Sequence, residues 1–276
     1  ETYESDTWTS KDVTIKLSST AYSGIYRYYY SVNGSDWTEI DGDTITVKNQ
    51  GEWNYKFKAV SYADNETVTQ NDFKVKIDKT EPVVRVDFEG TFGRWSADGV
   101  QFSMSILNQA ISGVRYYYST DGGKSWIQAE EGSIITIDED VDASYIFKAI
   151  NGAGVESNVS DSYRIMIDTK KPTLEYTLET EEKTDKPYNV LFNVNTGRSG
   201  LKSVSVNGKD ITGEKSFEVS DNGRYVIVMT ANNGLTSTEV INVNNIIEPE
   251  RPVLYVTPSG TLGSQTDKIV TFTLST

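Results

Sequence analysis

The amino-acid sequence predicts an all-β protein made of tandem antiparallel β-sandwiches that are arranged as an elongated rod. Three observations lead to this prediction. Apolar residues recur at every second position within short runs, which is the pattern of a half-buried strand. Turn-forming dipeptides such as Asn33-Gly34 and Asn207-Gly208 separate these runs. The same succession of runs and turns is found three times along the chain, which indicates three domains of one kind.

The alternation is clearest in two segments of the first block. Val13, Ile15 and Leu17 alternate with polar residues, and so do the apolar residues of the run at 55–59. No stretch has the i, i+3, i+4 apolar spacing of an amphipathic helix. About seven such strands in each block describe a two-sheet sandwich. Phe57 and its counterpart Phe147 fall on the inward face, so we expect both in the hydrophobic cores.

The repeat is anchored by a Ser-Gly pair at positions 23, 112 and 199. A tyrosine-rich run and then a tryptophan, Trp37 or Trp126, follow it in the first two blocks, and the third block has no such tryptophan. Prolines at 82, 172 and 252 mark the ends of the blocks, and short linkers that contain proline are semi-rigid. The predicted domains are residues 1–81, 82–171 and 172–250, with 251–276 as the truncated start of a fourth repeat.

The last segment opens in the same way as the second and third blocks. Pro252-Val253-Leu254 repeats their proline-then-apolar start, and a valine-rich run at 268–272 resembles the strand that begins near Val13. Two strands cannot close a sandwich, and an isolated pair is marginally stable in water. We therefore expect this segment to lean on the third repeat or to pair with another molecule.

Composition excludes several classes of function. The chain has no Cys and no His, so thiolate nucleophiles, Ser-His-Asp triads and histidine-ligated zinc are excluded, and we expect no enzyme. Forty acidic residues against 26 scattered basic ones give a net charge of −14, which argues against nucleic acid and anionic membranes as partners. No apolar run is long enough to insert into a membrane.

Several motifs together resemble one family. The chain carries Ser-Gly-Val at 112–114, Tyr-Ser-x-Asp-Gly-Gly-x-x-Trp at 118–126, and Ile-Asp-x-x-x-Pro at 77–82 and 167–172. This series resembles the bacterial immunoglobulin-like repeats of large secreted or cell-wall surface proteins, many of them from Gram-positive bacteria. The resemblance implies tandem immunoglobulin-like sandwiches at an extracellular location, acting as a spacer or stalk without a cofactor. Its partners would be neighbouring domains of the same longer chain.

A local motif supports the immunoglobulin-like interpretation in the third block. Such sandwiches carry Asp-x-Gly-x-Tyr-x-Cys at the corner that leads into one central strand. Asp221, Gly223 and Tyr225 match this motif, with Ile227 at the cysteine position. Apolar packing would then replace the disulfide.

Residues 119–126 fit the Asp-box pattern found in sialidases and other propellers. In those proteins the box is a hairpin turn remote from catalysis, in which the aspartate orders the turn and the tryptophan packs beneath it. Turn chemistry explains every residue of the box here, so we interpret it as a structural hairpin around Asp121.

The tyrosine-rich strands offer a candidate binding face. Successive residues in a strand point to opposite sides, so part of each tyrosine triplet faces outward. Exposed Tyr29 and Trp37, or Tyr117 and Trp126, could stack on a glycan or anchor a protein ligand in an adhesin-type module. The alternative is cross-strand aromatic packing that needs no ligand.

Acidic residues suggest two further possibilities. Asp78 and Asp168 lie beside the joints between repeats, and Asp140 and Asp142 lie in an acidic loop, so each is a weak candidate ligand for calcium. No complete series of ligands is visible, and acidic loops in contact with solvent are the simpler interpretation, so we expect no metal site. A carboxylate pair for glycoside hydrolysis is disfavoured, because the repeats lack the long loops that form such a cleft.

Overall fold

The computed structural model of the protein describes residues 2–130, 132, 134–247, 252–259 and 271–275. All regular secondary structure in these ranges is β, so no helix there could cross a membrane. The chain divides into two compact units, Glu1–Thr169 and Lys170–Thr276, which are described separately below.

The first sandwich of unit 1 has eight strands. These are β1 (Trp8–Thr9), β2 (Val13–Lys16), β3 (Ile25–Val32), β4 (Thr38–Ile40), β5 (Thr44–Val47), β6 (Gly51–Ser61), β7 (Glu66–Val68) and β8 (Phe73–Ile77). One sheet has the order β1-β8-β6-β3-β4, with β7 also paired to β6, and the other sheet consists of β2 and β5.

The second sandwich of unit 1 also has eight strands. These are β9 (Val84–Glu89), β10 (Trp95–Ser96), β11 (Val100–Ile106), β12 (Val114–Ser119), β13 (Ile127–Ala129), β14 (Ile134–Ile137), β15 (Val141–Asn151) and β16 (Tyr163–Ile167). Its sheets have the orders β10-β16-β15-β12-β13 and β14-β11-β9.

Unit 2 contains a third sandwich and a strand pair. The sandwich strands are β17 (Thr173–Leu178), β18 (Tyr188–Asn195), β19 (Leu201–Val206), β20 (Lys209–Asp210), β21 (Ser216–Val219), β22 (Gly223–Ala231) and β23 (Thr236–Val243). Its sheets have the orders β17-β18-β21 and β20-β19-β22-β23. The pair is β24 (Tyr255–Ser259) and β25 (Thr271–Ser275), which run antiparallel.

This pair has the same antiparallel relation as the opening strands of the second and third sandwiches. β9 pairs antiparallel with β11, and β17 pairs antiparallel with β18. The start of the predicted valine-rich strand, residues 268–270, lies outside the described residues. That this pair opens a fourth repeat, and what it leans on, remain predictions.

Side-chain alternation places the cores as the sequence predicts. β2 buries Val13 and Ile15, and β6 buries Tyr55, Phe57 and Ala59. In each sandwich, buried residues from both sheets form one apolar cluster. Phe57 is 6% exposed and Phe147 is fully buried, so the predicted core positions of both residues are confirmed.

Positive φ angles explain why the Ser-Gly pairs and the Asn-Gly turns recur along the chain. Gly24, Gly113 and Gly200 of the Ser-Gly pairs have φ values of 79°, 77° and 74°. Glycine recurs there because residues with a Cβ rarely adopt this conformation. Asn33 and Asn207 also have positive φ and are followed by glycines with positive φ, as a tight two-residue hairpin requires.

The third sandwich also has the predicted corner. The Tyr225 hydroxyl donates a 3.0 Å hydrogen bond to the carbonyl oxygen of Asp221. Ile227, at the cysteine position of the motif, is 1% exposed in the core. Apolar packing occupies the place of a disulfide there, as the sequence predicts.

The structure adds two short parallel pairings to the antiparallel sheets. β1, with Trp8, pairs parallel with β8, and β10, with Trp95, pairs parallel with β16. Each of these two strands lies at the edge of its sheet, beside the last strand of its sandwich. In the sequence, Trp8 lies five residues before Val13 and Trp95 five residues before Val100. This spacing predicts that the two tryptophans are equivalent, but not that their strands pair in parallel.

Candidate functional site: the outer aromatic face and the linker of unit 1

The tyrosine triplets of unit 1 divide between the core and the outer face. Tyr28 and Tyr30 pack against the first core, and Tyr116 and Tyr118 belong to or pack against the second. Tyr29 and Tyr117, the middle residues, therefore point outward. These are the two tyrosines that the sequence marks as candidate ligand-binding residues.

In the first sandwich, the outward Tyr29 joins Trp37 around a lysine. The Lys58 ammonium lies 4.8 Å from the centre of the Tyr29 ring and 5.3 Å from that of Trp37. It also forms a 3.1 Å ion pair with Glu66, and the Lys58 side chain is only 14% exposed. The lysine thus occupies the space that a ligand would need between the two rings.

The second sandwich repeats this arrangement. The Lys148 ammonium lies 4.6 Å from the Trp126 ring centre and 3.0 Å from a carboxylate oxygen of Glu156. Tyr117 is the cross-strand partner of Lys148, and its hydroxyl contacts Gln128 at 3.4 Å. The Lys148 side chain is 13% exposed. All four candidate aromatic residues therefore lie beside a lysine of their own sandwich.

This arrangement stabilises the outer face. A cation over an aromatic ring contributes about 0.5–2 kcal/mol, and more when the pair is shielded from water. A ligand that stacks on the ring face covered by Lys58 or Lys148 would have to displace that lysine first. In the third sandwich the equivalent cross-strand pair is Ser203 and Thr230, so the fold does not depend on these residues. The sequence signal was the lysine before the inward alanine in both blocks, Lys58-Ala59 and Lys148-Ala149.

The Asp-box segment forms a hairpin loop ordered by one carboxylate. Asp121 accepts hydrogen bonds from the Ser119 hydroxyl at 2.7 Å and from the backbone N–H and hydroxyl of Ser125 at 3.0 and 2.6 Å. These bonds, led by the one from the Ser125 hydroxyl, hold the pKa of Asp121 well below its usual range. All of these hydrogen bonds lie within the loop between residues 119 and 125, as the interpretation of the box as a structural hairpin requires.

The linker between the two sandwiches of unit 1 is fixed by a buried aspartate. Asp78 is fully buried, and its carboxylate accepts bonds from the Ser112 N–H at 3.0 Å and the Ser112 hydroxyl at 2.6 Å. It also accepts a 3.0 Å bond from the Thr80 N–H. Burial by itself would raise the pKa of Asp78, but these bonds outweigh it and lower the pKa. The closing aspartate of one repeat thus binds the Ser-Gly turn of the next.

Three asparagines of the second sandwich hold the rest of this linker. The Asn151 amide donates to the Thr80 carbonyl at 2.8 Å, and the Asn158 amide donates to the Glu81 carboxylate at 3.0 Å. Asn108 donates to the Glu81 carbonyl and accepts from the Val83 N–H, both at 2.8 Å. The linker is therefore bound along its length. The sequence indicated stiffness from Pro82 alone and gave no sign of these amides.

The carboxylates proposed as calcium ligands are engaged elsewhere. Asp140 accepts bonds from the N–H and hydroxyl of Thr169 at 2.7 and 2.8 Å. Asp142 forms a 3.0 Å ion pair with Arg164, and Asp168 is fully buried like Asp78. In the part of the chain that the structure describes, no three potential metal-binding side chains converge. That no metal binds at these residues stays a prediction.

Comparisons with known proteins give only distant structural likenesses. No protein-family model and no curated protein matches the sequence. The fibronectin(III)-like modules of Clostridium thermocellum CbhA are 14% identical, with a TM-score of 0.33 over 58% of this chain and 87% of theirs.

Two other solved structures cover more of the chain. Three N-terminal domains of the outer capsid protein Hoc of bacteriophage RB49 are 12% identical, with a TM-score of 0.36 over 88% of this chain and 96% of theirs. A Ca²⁺-stabilized adhesin with which an Antarctic bacterium binds ice is 13% identical, with a TM-score of 0.29 over 92% of this chain and 73% of its own.

Proposed function

We propose that this chain is a non-catalytic segment of tandem immunoglobulin-like repeats that spaces or displays other domains of an extracellular bacterial protein. Its repeats would be residues 1–81, 82–171 and 172–250. Its partners would be the neighbouring domains of the same longer chain. A location at the cell surface or in the secreted fraction belongs to the same proposal.

The observation that carries this proposal is the bound linker of unit 1. A spacer needs a fixed separation between successive domains, and a freely coiled linker does not supply one. Here the buried carboxylate of Asp78 and the amide of Asn151 hold the linker against the second sandwich. Hydrogen bonds to a charged acceptor are shorter and stronger than neutral ones. Two sandwiches joined in this way keep one relative orientation.

The outer faces support the same proposal. Lys58 and Lys148 cover the aromatic rings that would otherwise offer a stacking surface. Ion pairs with Glu66 and Glu156 complete each cluster. A face whose polar groups are paired within the domain suits a module that is exposed to solvent.

The test measures the separation of the two sandwiches. Because the chain has no cysteine, Thr46→Cys and Lys124→Cys place one spin label on an exposed site of each sandwich. Pulsed electron paramagnetic resonance then gives the distance distribution. We expect a narrow distribution that broadens in Asp78→Ala, and that broadens less in Ser112→Ala, which keeps the backbone bond to Asp78.

Asp161→Ala is the matched control, since it removes an exposed aspartate of the same unit. Its distribution should equal that of the parent chain. A distribution that is already broad in the parent, or one that Asp78→Ala leaves narrow, would show that these hydrogen bonds do not set the spacing.

One observation favours a second candidate function, glycan binding by an adhesin-type module. The Trp37 side chain is 39% exposed although Lys58 lies over its ring, so part of the indole remains accessible. A glycan array probed with the full chain tests this. Signals that disappear in Trp37→Ala and Trp126→Ala would favour glycan binding. An array without any signal would favour the spacer function.

A further inference from the structure

Each sandwich of unit 1 has a short segment that crosses to its last strand. Residues 3–9 are called the first strap here, and β1 at their end pairs with β8. Residues 90–96 are the second strap, and β10 at their end pairs with β16. Before each pairing, a strap N–H donates to a carbonyl of the last strand, from Asp6 in the first strap and from Gly93 in the second. The two straps therefore follow the same path.

The first strap has an aspartate where the second has a glycine. The φ of Asp6 is 73° and that of Gly93 is 74°, in the region that residues with a Cβ rarely adopt. The Asp6 carboxylate lies 2.7 Å from the Lys76 ammonium and 3.3 Å from the Lys74 ammonium. Hydrogen bonds from these two lysines, led by the one from Lys76, lower the pKa of Asp6. The ion pairs thus hold an aspartate in a conformation that suits glycine.

Apolar contacts take the place of these charges in the second strap. The Phe92 ring lies 5.9 Å from the Tyr163 ring of β16. Met166 is 9% exposed and stands where the first sandwich has Lys76. Salt screens exposed charges but not apolar contacts, so the two straps should respond differently to ionic strength.

The first strap is also connected to the joint between the two sandwiches. The Thr9 carbonyl of β1 accepts a 3.0 Å hydrogen bond from the Asp78 N–H. The ammonium of Lys79 lies 2.6 Å from the Asp12 carboxylate and donates to the Lys48 carbonyl at 2.9 Å. These bonds fix the linker to the first sandwich, just as the Asp78 carboxylate fixes it to the second.

The two sides of this joint differ in their exposure to solvent. The side chains of Lys79 and Asp12 are 39% and 42% exposed, and that of Asp6 is 49% exposed, whereas Asp78 is fully buried. The Debye length falls from about 30 Å at 0.01 M salt to about 3 Å at 1 M, and buried pairs are screened much less than exposed ones. Salt should therefore weaken the attachment to the first sandwich and leave the attachment to the second intact.

We propose that ionic strength controls the stiffness of this joint by releasing the linker and the first strap from the first sandwich. The inference rests on the proposed function, in which the joint sets the spacing of the domains. At low ionic strength, the ion pairs of Lys79 and Asp6 hold the linker and the strap in place. At high ionic strength, the linker stays bound to the second sandwich and pivots against the first.

The first test measures the distance between spin labels at positions 46 and 124 at low and at high salt. We expect the distribution to broaden between about 0.02 M and about 1 M NaCl. Lys79→Met should broaden it already at low salt and remove most of the salt dependence. Lys56→Met is the matched control, because Lys56 forms an exposed 3.7 Å ion pair with Asp72 elsewhere in the same sandwich. Its distributions should equal those of the parent chain at both salt concentrations.

The second test follows the strap itself by amide hydrogen exchange in NMR spectra. The exchange of the Asp6 N–H, relative to that of an unfolded peptide, should increase about threefold over the same salt range, since exposed ion pairs are weak. The Gly93 N–H makes the equivalent bond in the second sandwich and should not change. Asp6→Gly gives the first strap the residue of its counterpart, so the strap should stay paired and its exchange should become independent of salt. Unchanged exchange across β6 would show that each variant is folded.

A parent distribution that is narrow at both salt concentrations would overturn this inference and leave the proposed function standing, because Asp78→Ala tests the fixed spacing at low salt. A salt dependence that persists in Lys79→Met, or an equal salt response of the Asp6 and Gly93 amides, would also overturn the inference. A parent distribution that is already broad at low salt would overturn both proposals.

Discussion

Truncation of the two core phenylalanines should cost different amounts of stability. Phe57 and Phe147 occupy equivalent positions, but Phe147 is fully buried and contacts the rings of Phe102 and Tyr163 at centroid distances of 5.0 and 5.9 Å. Phe57 is 6% exposed, stacks on Tyr55 at 6.0 Å and lines an open cleft. The comparison therefore tests how the cleft beside Phe57 affects the first core.

The magnitude follows from burial and from the number of ring contacts. Phe→Ala in a core costs about 3–5 kcal/mol. An aromatic pair contributes about 0.5–1.5 kcal/mol beyond its buried area, and Phe147 has one such contact more than Phe57. Water can also enter the space left by Phe57 through the cleft. We expect a loss of about 5 kcal/mol for Phe147→Ala and about 3 kcal/mol for Phe57→Ala.

Hydrogen exchange as a function of denaturant resolves the free energy of unfolding for each sandwich. Peptic fragments from β6, β15 and β22 report on the first, second and third sandwich, and β22 should be unaffected by either variant. If Phe147→Ala unfolds its sandwich outright, Phe147→Leu and Phe57→Leu give the same ranking at lower cost. An equal or larger loss for Phe57, or a loss in β22, would refute the reasoning.

Three other perturbations test local features. Asp121→Asn should speed amide exchange at Ser125. Because the pKa of Asp121 is lowered in the folded chain, the ionised carboxylate stabilises the loop fully above the ordinary aspartate pKa of about 4. This stabilisation is lost as the pH falls through the lowered pKa. A carbon-detected NMR titration of the carboxyl group measures that pKa, and a midpoint near 4 would contradict the expectation. Gly152→Ala should weaken the joint in unit 1, since an added Cβ would lie 2.2 Å from the Ser112 carbonyl oxygen. The distance distribution between spin labels at positions 46 and 124 should then broaden, with Asp161→Ala as the control, and an unchanged distribution would contradict this expectation. Calcium or EGTA should leave all melting transitions within about one degree, because Asp140 and Asp142 are bonded to Thr169 and Arg164, and a shift of several degrees would reveal a site.

Much of each sandwich could be predicted from local sequence. Alternation with period two identified β2 and β6 and put Phe57 and Phe147 in the cores, because strand geometry sends successive side chains to opposite faces. Asn33-Gly34 and Asn207-Gly208 identified turns, because positive φ is a property of single residues. The corner at Tyr225 was likewise visible as a short motif.

Features that join distant segments could not be predicted in this way. The sequence showed the outward Tyr29 and the nearby Trp37 as a candidate binding face, but not that Lys58 lies over both rings. That contact depends on the register of β3 against β6, which brings Tyr29 opposite Lys58. Whether the face binds a ligand remains a prediction.

The sequence by itself determined the fold class, the strands, the turns and the identity of the core phenylalanines, since each depends on a residue and its near neighbours. Only the tertiary structure decided what the recurring Ile-Asp and Ser-Gly motifs do in unit 1. Asp78 and Ser112 belong to different sandwiches, and their hydrogen bonds depend on the path of the linker between them. Periodicity carries no information about that path, because it is set by the packing of one domain's end against the next.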